Sequence, residues 1–108
     1  MDREKPIQWM GSSLNDLLAF PDEAKREAGY QLHRIQQGLD PEDWKSFPAV
    51  GPGVKEVRIS IARGIYRIMY VAKFEDAVYV LHSFVKKTQR TAKSDVDIAK
   101  ARYKAIAN

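Results

Sequence analysis

The sequence predicts an α+β domain, and three observations carry that reading. Helical spacing of apolar residues is confined to roughly residues 13–37 and to the segment after Ser94. Between them, after Gly53, apolar residues recur at every second position in three consecutive runs. Short polar turns join those runs, which predicts an antiparallel meander. The expected order is β-α-α-β-β-β-α, with the helices packed on one face of the sheet. At 108 residues, 44% of them hydrophobic, the chain is expected to form one domain over 1–108.

Each element has a local cause. Ile7–Met10 is a short apolar run stopped by Gly11 and reads as a strand. Ser13 and Asp16 approximate a capping box ahead of Leu14, Leu17 and Leu18. Pro21 would interrupt a continuous helix but suits the start of a second one, with Asp22 and Glu23 in its first turn. Ala24, Ala28, Leu32, Ile35 and Leu39 then form one apolar stripe, and Gly38 suits a C-terminal cap. Asp40–Gly53 holds Pro41, Pro48, Gly51, Pro52 and Gly53 and reads as a loop anchored by Trp44, Phe47 and Val50.

In Val54–Ile61, Val57, Ile59 and Ile61 point one way while Glu56, Arg58 and Ser60 point the other. After the Ala62–Gly64 turn, Ile65–Phe74 sets Tyr66, Ile68, Tyr70 and Phe74 against Arg67, Met69, Val71 and Lys73. Glu75-Asp76 turns the chain into a third strand, Val78–Phe84. Ser94 or Asp95 opens the last helix, whose imperfect stripe is Val96, Ile98, Ala99, Arg102, Tyr103 and Ile106.

Composition excludes several function classes. With no cysteine there is no disulfide scaffold, thiolate nucleophile or thiolate metal site. Apolar runs fall far short of the roughly 20 residues needed to span a bilayer. Met1–Pro6 is charged rather than apolar, which speaks against a secretory signal and for a cytoplasmic location. The net charge of +4 is unevenly spread. Residues 1–53 hold 6 basic and 9 acidic side chains, residues 54–74 hold 5 and 1, and residues 86–108 hold 7 and 2. A basic C-terminal half is the footprint of polyanion binding, although a solvated surface carries the same signature.

No phosphate loop, nucleophile elbow or paired-histidine metal motif is present, and no metal or cofactor is expected. Of the two histidines, His33 lies within the amphipathic helix, and His82, at the end of the third meander strand, is the candidate for proton transfer. Arg58 and Arg67 fall within about one pair of being cross-strand neighbours. Like charges placed so ask for an anionic partner, either a ligand or, as a purely structural answer, Glu56. Both arginines are expected at the surface, where replacement costs within about 0.5 kcal/mol. Directly after the third strand, Lys86-Lys87-Thr88-Gln89-Arg90-Thr91-Ala92-Lys93 supplies four cations beside that face.

Gly51-Pro52-Gly53-Val54, Glu56-Val57-Arg58, Tyr66-Arg67-Ile68-Met69-Tyr70, Leu81-His82-Ser83-Phe84 and Lys86-Lys87-Thr88-Gln89 occur in an order that resembles the phage-derived branch of the RelE/HigB toxin superfamily. Gly29–Leu32, Asp40–Lys45 and Ala99–Tyr103 extend the resemblance over almost the whole chain. It implies a RelE-like fold and the toxin of a type II toxin–antitoxin pair. Such a toxin cleaves mRNA on the ribosome, inhibits translation and is silenced by an antitoxin of helix-turn-helix type. Position by position, the family's basic residues fall on Arg58, Arg67, Lys86 and Lys87. Its C-terminal general acid has no unambiguous match among His82, Tyr66 and Tyr103.

Cleavage by the substrate's own 2′-hydroxyl needs a base, charge stabilisation at phosphorus and a proton for the leaving 5′-oxygen. The arginine forks of Arg58 and Arg67 suit the second task, and a lysine crowded by cations, Lys87, suits the first. The expected catalytic set is Arg58, Arg67, Lys87 and His82, with Arg63, Lys73, Lys86, Arg90 and Lys93 as RNA contacts. The alternative is a non-catalytic module that docks nucleic acid or an acidic partner on the same basic face. A plain phage structural protein is a third, weaker reading.

Overall fold

A computed structural model describes residues 4–107; the first three residues of the charged N-terminus and Asn108 lie outside it. The elements are β1 (Ile7–Trp9), α1 (Ser13–Leu18), α2 (Asp22–Gln36), β2 (Trp44–Ser46), β3 (Val54–Ile61), β4 (Gly64–Val71), β5 (Val78–Val85) and α3 (Lys93–Ala107). The α+β class and the meander are as expected. β3, β4 and β5 pair antiparallel, and the five-stranded order is β1-β5-β4-β3-β2. Two strands complete a mixed sheet: β1 joins β5 in parallel, and β2, in a segment read from sequence as loop, pairs with β3.

The helices do not share one face. Leu17 and Phe20, at and just beyond the end of α1, pack with Ala24, Ala28, Leu32 and Ile35 of α2 on Val57, Ile59, Tyr66, Ile68, Tyr70, Val78 and Val80. α3 lies on the opposite face, where Val96, Ala99, Tyr103 and Ile106 meet Val54, Met69, Val71, Leu81 and Phe84. The reason is the apolar content of β4, which is buried from Tyr66 to Val71 on both sides. A central strand apolar on both faces needs cover on both.

Three local details position the rest. Ser12, not Ser13, stands at the N-cap of α1 and donates to Asp16 Oδ2, while Ser13 is buried and donates to the Val80 carbonyl. Gly38 (φ +88°) closes α2, with its own N–H on the Ile35 carbonyl and that of Leu39 on the Arg34 carbonyl. Leu39 therefore leaves the helical stripe and is exposed. The register between β4 and β5 shifts after Met69: Tyr70 faces Val80 but Met69 faces His82, so Leu81 is an extra residue. The bulge puts Leu81, His82 and Phe84 all on the α3 side, where strict alternation would have separated them.

Candidate nucleic-acid interface

α3 covers only part of its face of the sheet. The uncovered part, near the β3–β4 turn, is where the even-numbered polar residues of β3 meet the odd-numbered ones of β4. Arg58 and Arg67 stand directly opposite in the register. Two contiguous hollows share this pair. One, about 520 Å³, is lined by Arg58, Ile65, Arg67, Lys86, Lys87, Thr88 and Gln89. The other, about 240 Å³, is lined by Asp43, Trp44, Lys45, Glu56, Arg58 and Arg67.

Neither arginine is unpaired. Arg58 donates through Nε to Asp43 Oδ2 at 2.8 Å, and both side chains are about half exposed. Arg67 donates through Nη1 to Glu56 Oε1 at 2.7 Å, with side-chain exposures of 6% and 0%. Thus Glu56 does provide the structural answer to the arginine pair, assisted by a residue the sequence did not suggest. The expectation that both arginines are surface residues fails for Arg67. It is buried in an ion pair with a fully buried carboxylate, and its Nε has no hydrogen-bond partner.

Glu56 also accepts from Thr91 Oγ1 at 3.0 Å and lies 3.7 Å from Lys45 Nζ. Lys45, brought opposite Glu56 by β2, adds a cation that strand periodicity had no means of finding. Lys86 continues the ladder past β5, its N–H on the Ile65 carbonyl at 2.9 Å, which places its side chain at the arginine pair. Its ammonium is held below the usual lysine range, first by partial desolvation and then by Arg67 and Lys45, against an opposing pull from Glu56. Lys87 lines the same hollow and is exposed.

The remaining expected contacts scatter. Arg63, in the β3–β4 turn, lines a separate hollow with Pro21, Asp22 and Glu23 at the start of α2. Lys73 is near the far end of β4, its Nζ 5.3 Å from the Phe74 ring centre. Arg90 is exposed in the loop after β5, and Lys93 pairs with Asp97 along α3 at 2.8 Å.

His82 is not in either hollow. It is buried, stacked on Phe84 at 4.8 Å, with Nε2 at 2.8 Å from Asp95 Oδ1 and Nδ1 sealed without a partner. It fastens the first turn of α3 to the sheet. Tyr66 packs against Phe20 on the opposite face, and the Tyr103 hydroxyl donates to the Pro52 carbonyl. Among the described residues, no three His, Asp or Glu side chains gather as metal ligands, and no helix is long and apolar enough to cross a membrane.

The chain is thus a small α+β domain with a cationic hollow on the open part of its sheet. The family can be given directly. Residues 15–104 match the model of the phage-derived Gp49-like proteins (DUF891), and the chain belongs to that family, which is a RelE/toxin-like one. No curated protein matches the chain.

Proposed function

We propose that the protein is the toxin of a type II toxin–antitoxin pair in the RelE/HigB manner, cleaving mRNA on the ribosome and so inhibiting translation. The observation that carries this reading is the convergence of Arg58, Arg67, Lys86 and Lys87, from three parts of the chain, on one hollow. Membership of a toxin-like family supports it. The unbraced ends of the Arg58 guanidinium face phosphate oxygens and offset the charge that grows at phosphorus.

Lys86, whose ammonium is held below the usual lysine range by desolvation and by Arg67 and Lys45, takes the role of base in this reading. In its neutral form it takes the proton of the 2′-hydroxyl. The 2′-oxygen then attacks phosphorus, the bond to the 5′-oxygen breaks, and a 2′,3′-cyclic phosphate remains. The ammonium of Lys87, on the same rim, gives its proton to the leaving 5′-oxygen. The two carboxylates near the pair, Asp43 and Glu56, are already engaged by arginines, which supports a route without a metal. The antitoxin, expected to be of helix-turn-helix type, would silence the protein by covering the hollow or keeping it from the ribosome.

One observation favours the second reading, a non-catalytic nucleic-acid module: His82, Tyr66 and Tyr103 all lie outside the hollow. End-group analysis of ribosome-bound message after induction in cells separates the two. Cyclic phosphate ends on the recovered message, with EDTA present only in the detection step, are the expected result. Uncut message on stalled ribosomes would favour the module, and 5′-phosphate with 3′-hydroxyl ends would refute the mechanism.

A further inference from the structure

Glu56 is the least accessible ionisable group near the hollow, and three chain segments converge on it. Its carboxylate accepts from Arg67 of β4 and from Thr91, and the Lys45 ammonium of β2 lies against it. Thr91 ends the segment that begins at Lys86 and supplies one wall of the hollow, two residues before α3. A buried carboxylate is stable only when it is paired and hydrogen-bonded, and the two donors with the nearby ammonium meet that need. Conversely, Arg67, Lys45 and Lys86 stand close together because an anion lies beneath them.

We propose that Glu56 is the positioning residue of the hollow and that its bond to Thr91 holds the Lys86–Thr91 segment over the arginine pair. A phosphodiester would then depend on a carboxylate that has no exposed surface of its own. This rests on the reading that the hollow binds RNA. The physical logic is preorganisation: the wall is fixed before the anion arrives, so ordering it does not subtract from affinity. Within the segment, Thr88 Oγ1 donates to the Arg90 carbonyl, which turns the chain between the lysines and Thr91. The depressed Lys86 ammonium reports the same closeness, since Arg67 and Lys45 are among its causes.

Thr91→Val removes the hydroxyl while keeping the size of a partly exposed side chain, and Thr91→Ser restores it. The probe is a short RNA carrying a 2′-deoxy sugar at the cleavage site. Thr91→Val should bind it about three- to tenfold more weakly, the size of one net hydrogen bond. The thermal midpoint should fall by several degrees with the fold retained, and Thr91→Ser should recover both the midpoint and binding. The Lys86 ammonium, followed by NMR on the protein alone, should titrate closer to an ordinary lysine in Thr91→Val than in the wild type. A Thr91→Val protein with wild-type affinity and wild-type Lys86 titration overturns the proposal. If the wild type binds no free RNA, recognition of message needs the ribosome, and the functional reading is judged by the end-group analysis above. The Lys86 titration then decides alone whether the tie shapes the hollow.

Discussion

Arg58 and Arg67 face each other across two strands, yet their replacement has different consequences. Arg58→Ala removes a half-exposed pair with Asp43 and should cost no more than about 1 kcal/mol. Arg67→Ala leaves the Glu56 carboxylate buried without its main partner and should cost about 3–5 kcal/mol. Urea unfolding measures both, and equal losses would contradict this division. Growth inhibition should vanish in each, but only Arg58→Ala tests function without a stability confound. At Lys86 the lowered ammonium predicts a cleavage rate that rises with pH and levels off below the range of a free lysine. Lys86→Arg should remove the activity and retain oligonucleotide binding. The arginine pair itself was legible in the sequence, because strand alternation and a short turn fix cross-strand neighbours. Of their carboxylate partners Glu56 was legible, one position along the same strand face, whereas Asp43 was not, because it lies 15 residues from Arg58 and no periodicity connects them.

At the scale of elements, α3 and the bulge in β5 depend on one side chain. Arg102 donates through Nη1 to the carbonyl of Leu81, the extra residue, and through Nη2 to Ser12 Oγ at the start of α1. It packs so closely over Gly11 (φ +54°) that a Cβ there would collide with the guanidinium. Gly11→Ala should therefore destabilise by about 1–2 kcal/mol from backbone conformation alone, and by more because Arg102 must move. Chemical denaturation tests this, and a loss below 1 kcal/mol would show that Arg102 is not fixed there. β4 gives a second prediction. Burial, with a smaller contribution from Asp40, raises the Tyr70 hydroxyl above its ordinary value of 10.0. The unfolded chain then loses that proton first, so the contribution of Tyr70 is present below pH 10 and falls as pH rises beyond it. Tyr79, bonded to Asp76, shifts in the same direction and Lys86 in the other. Unfolding midpoints between pH 9 and pH 11 should fall less steeply for Tyr70→Phe than for the wild type. Most elements could be read from local signals, but β2 could not. Its three residues, Trp44–Ser46, are all exposed and carry no alternation. Trp44, read from sequence as a core anchor, lies at the sheet edge with Lys55 Nζ 4.4 Å from its ring centre.

Across the whole molecule, charge is segregated: an acidic N-terminal half and a basic C-terminal half. A partner that covers the hollow should associate quickly at low salt and more slowly as salt rises, since steering acts within a Debye length of about 8–10 Å. Stopped-flow association with the product of the neighbouring gene checks this. A rate indifferent to ionic strength would direct attention to the acidic α2 side. The sequence by itself determined the α+β class, the meander, both long helices and the meeting of Arg58 with Arg67, because each follows from spacing along a short stretch of chain. Only the tertiary structure decided that α3 takes the second face, that His82 is sealed against Asp95, and that Glu56, Asp43, Lys45 and Thr91 complete the hollow. Those outcomes depend on which distant segments must cover a sheet that is apolar on both sides. Spacing along the chain carries no information about that choice.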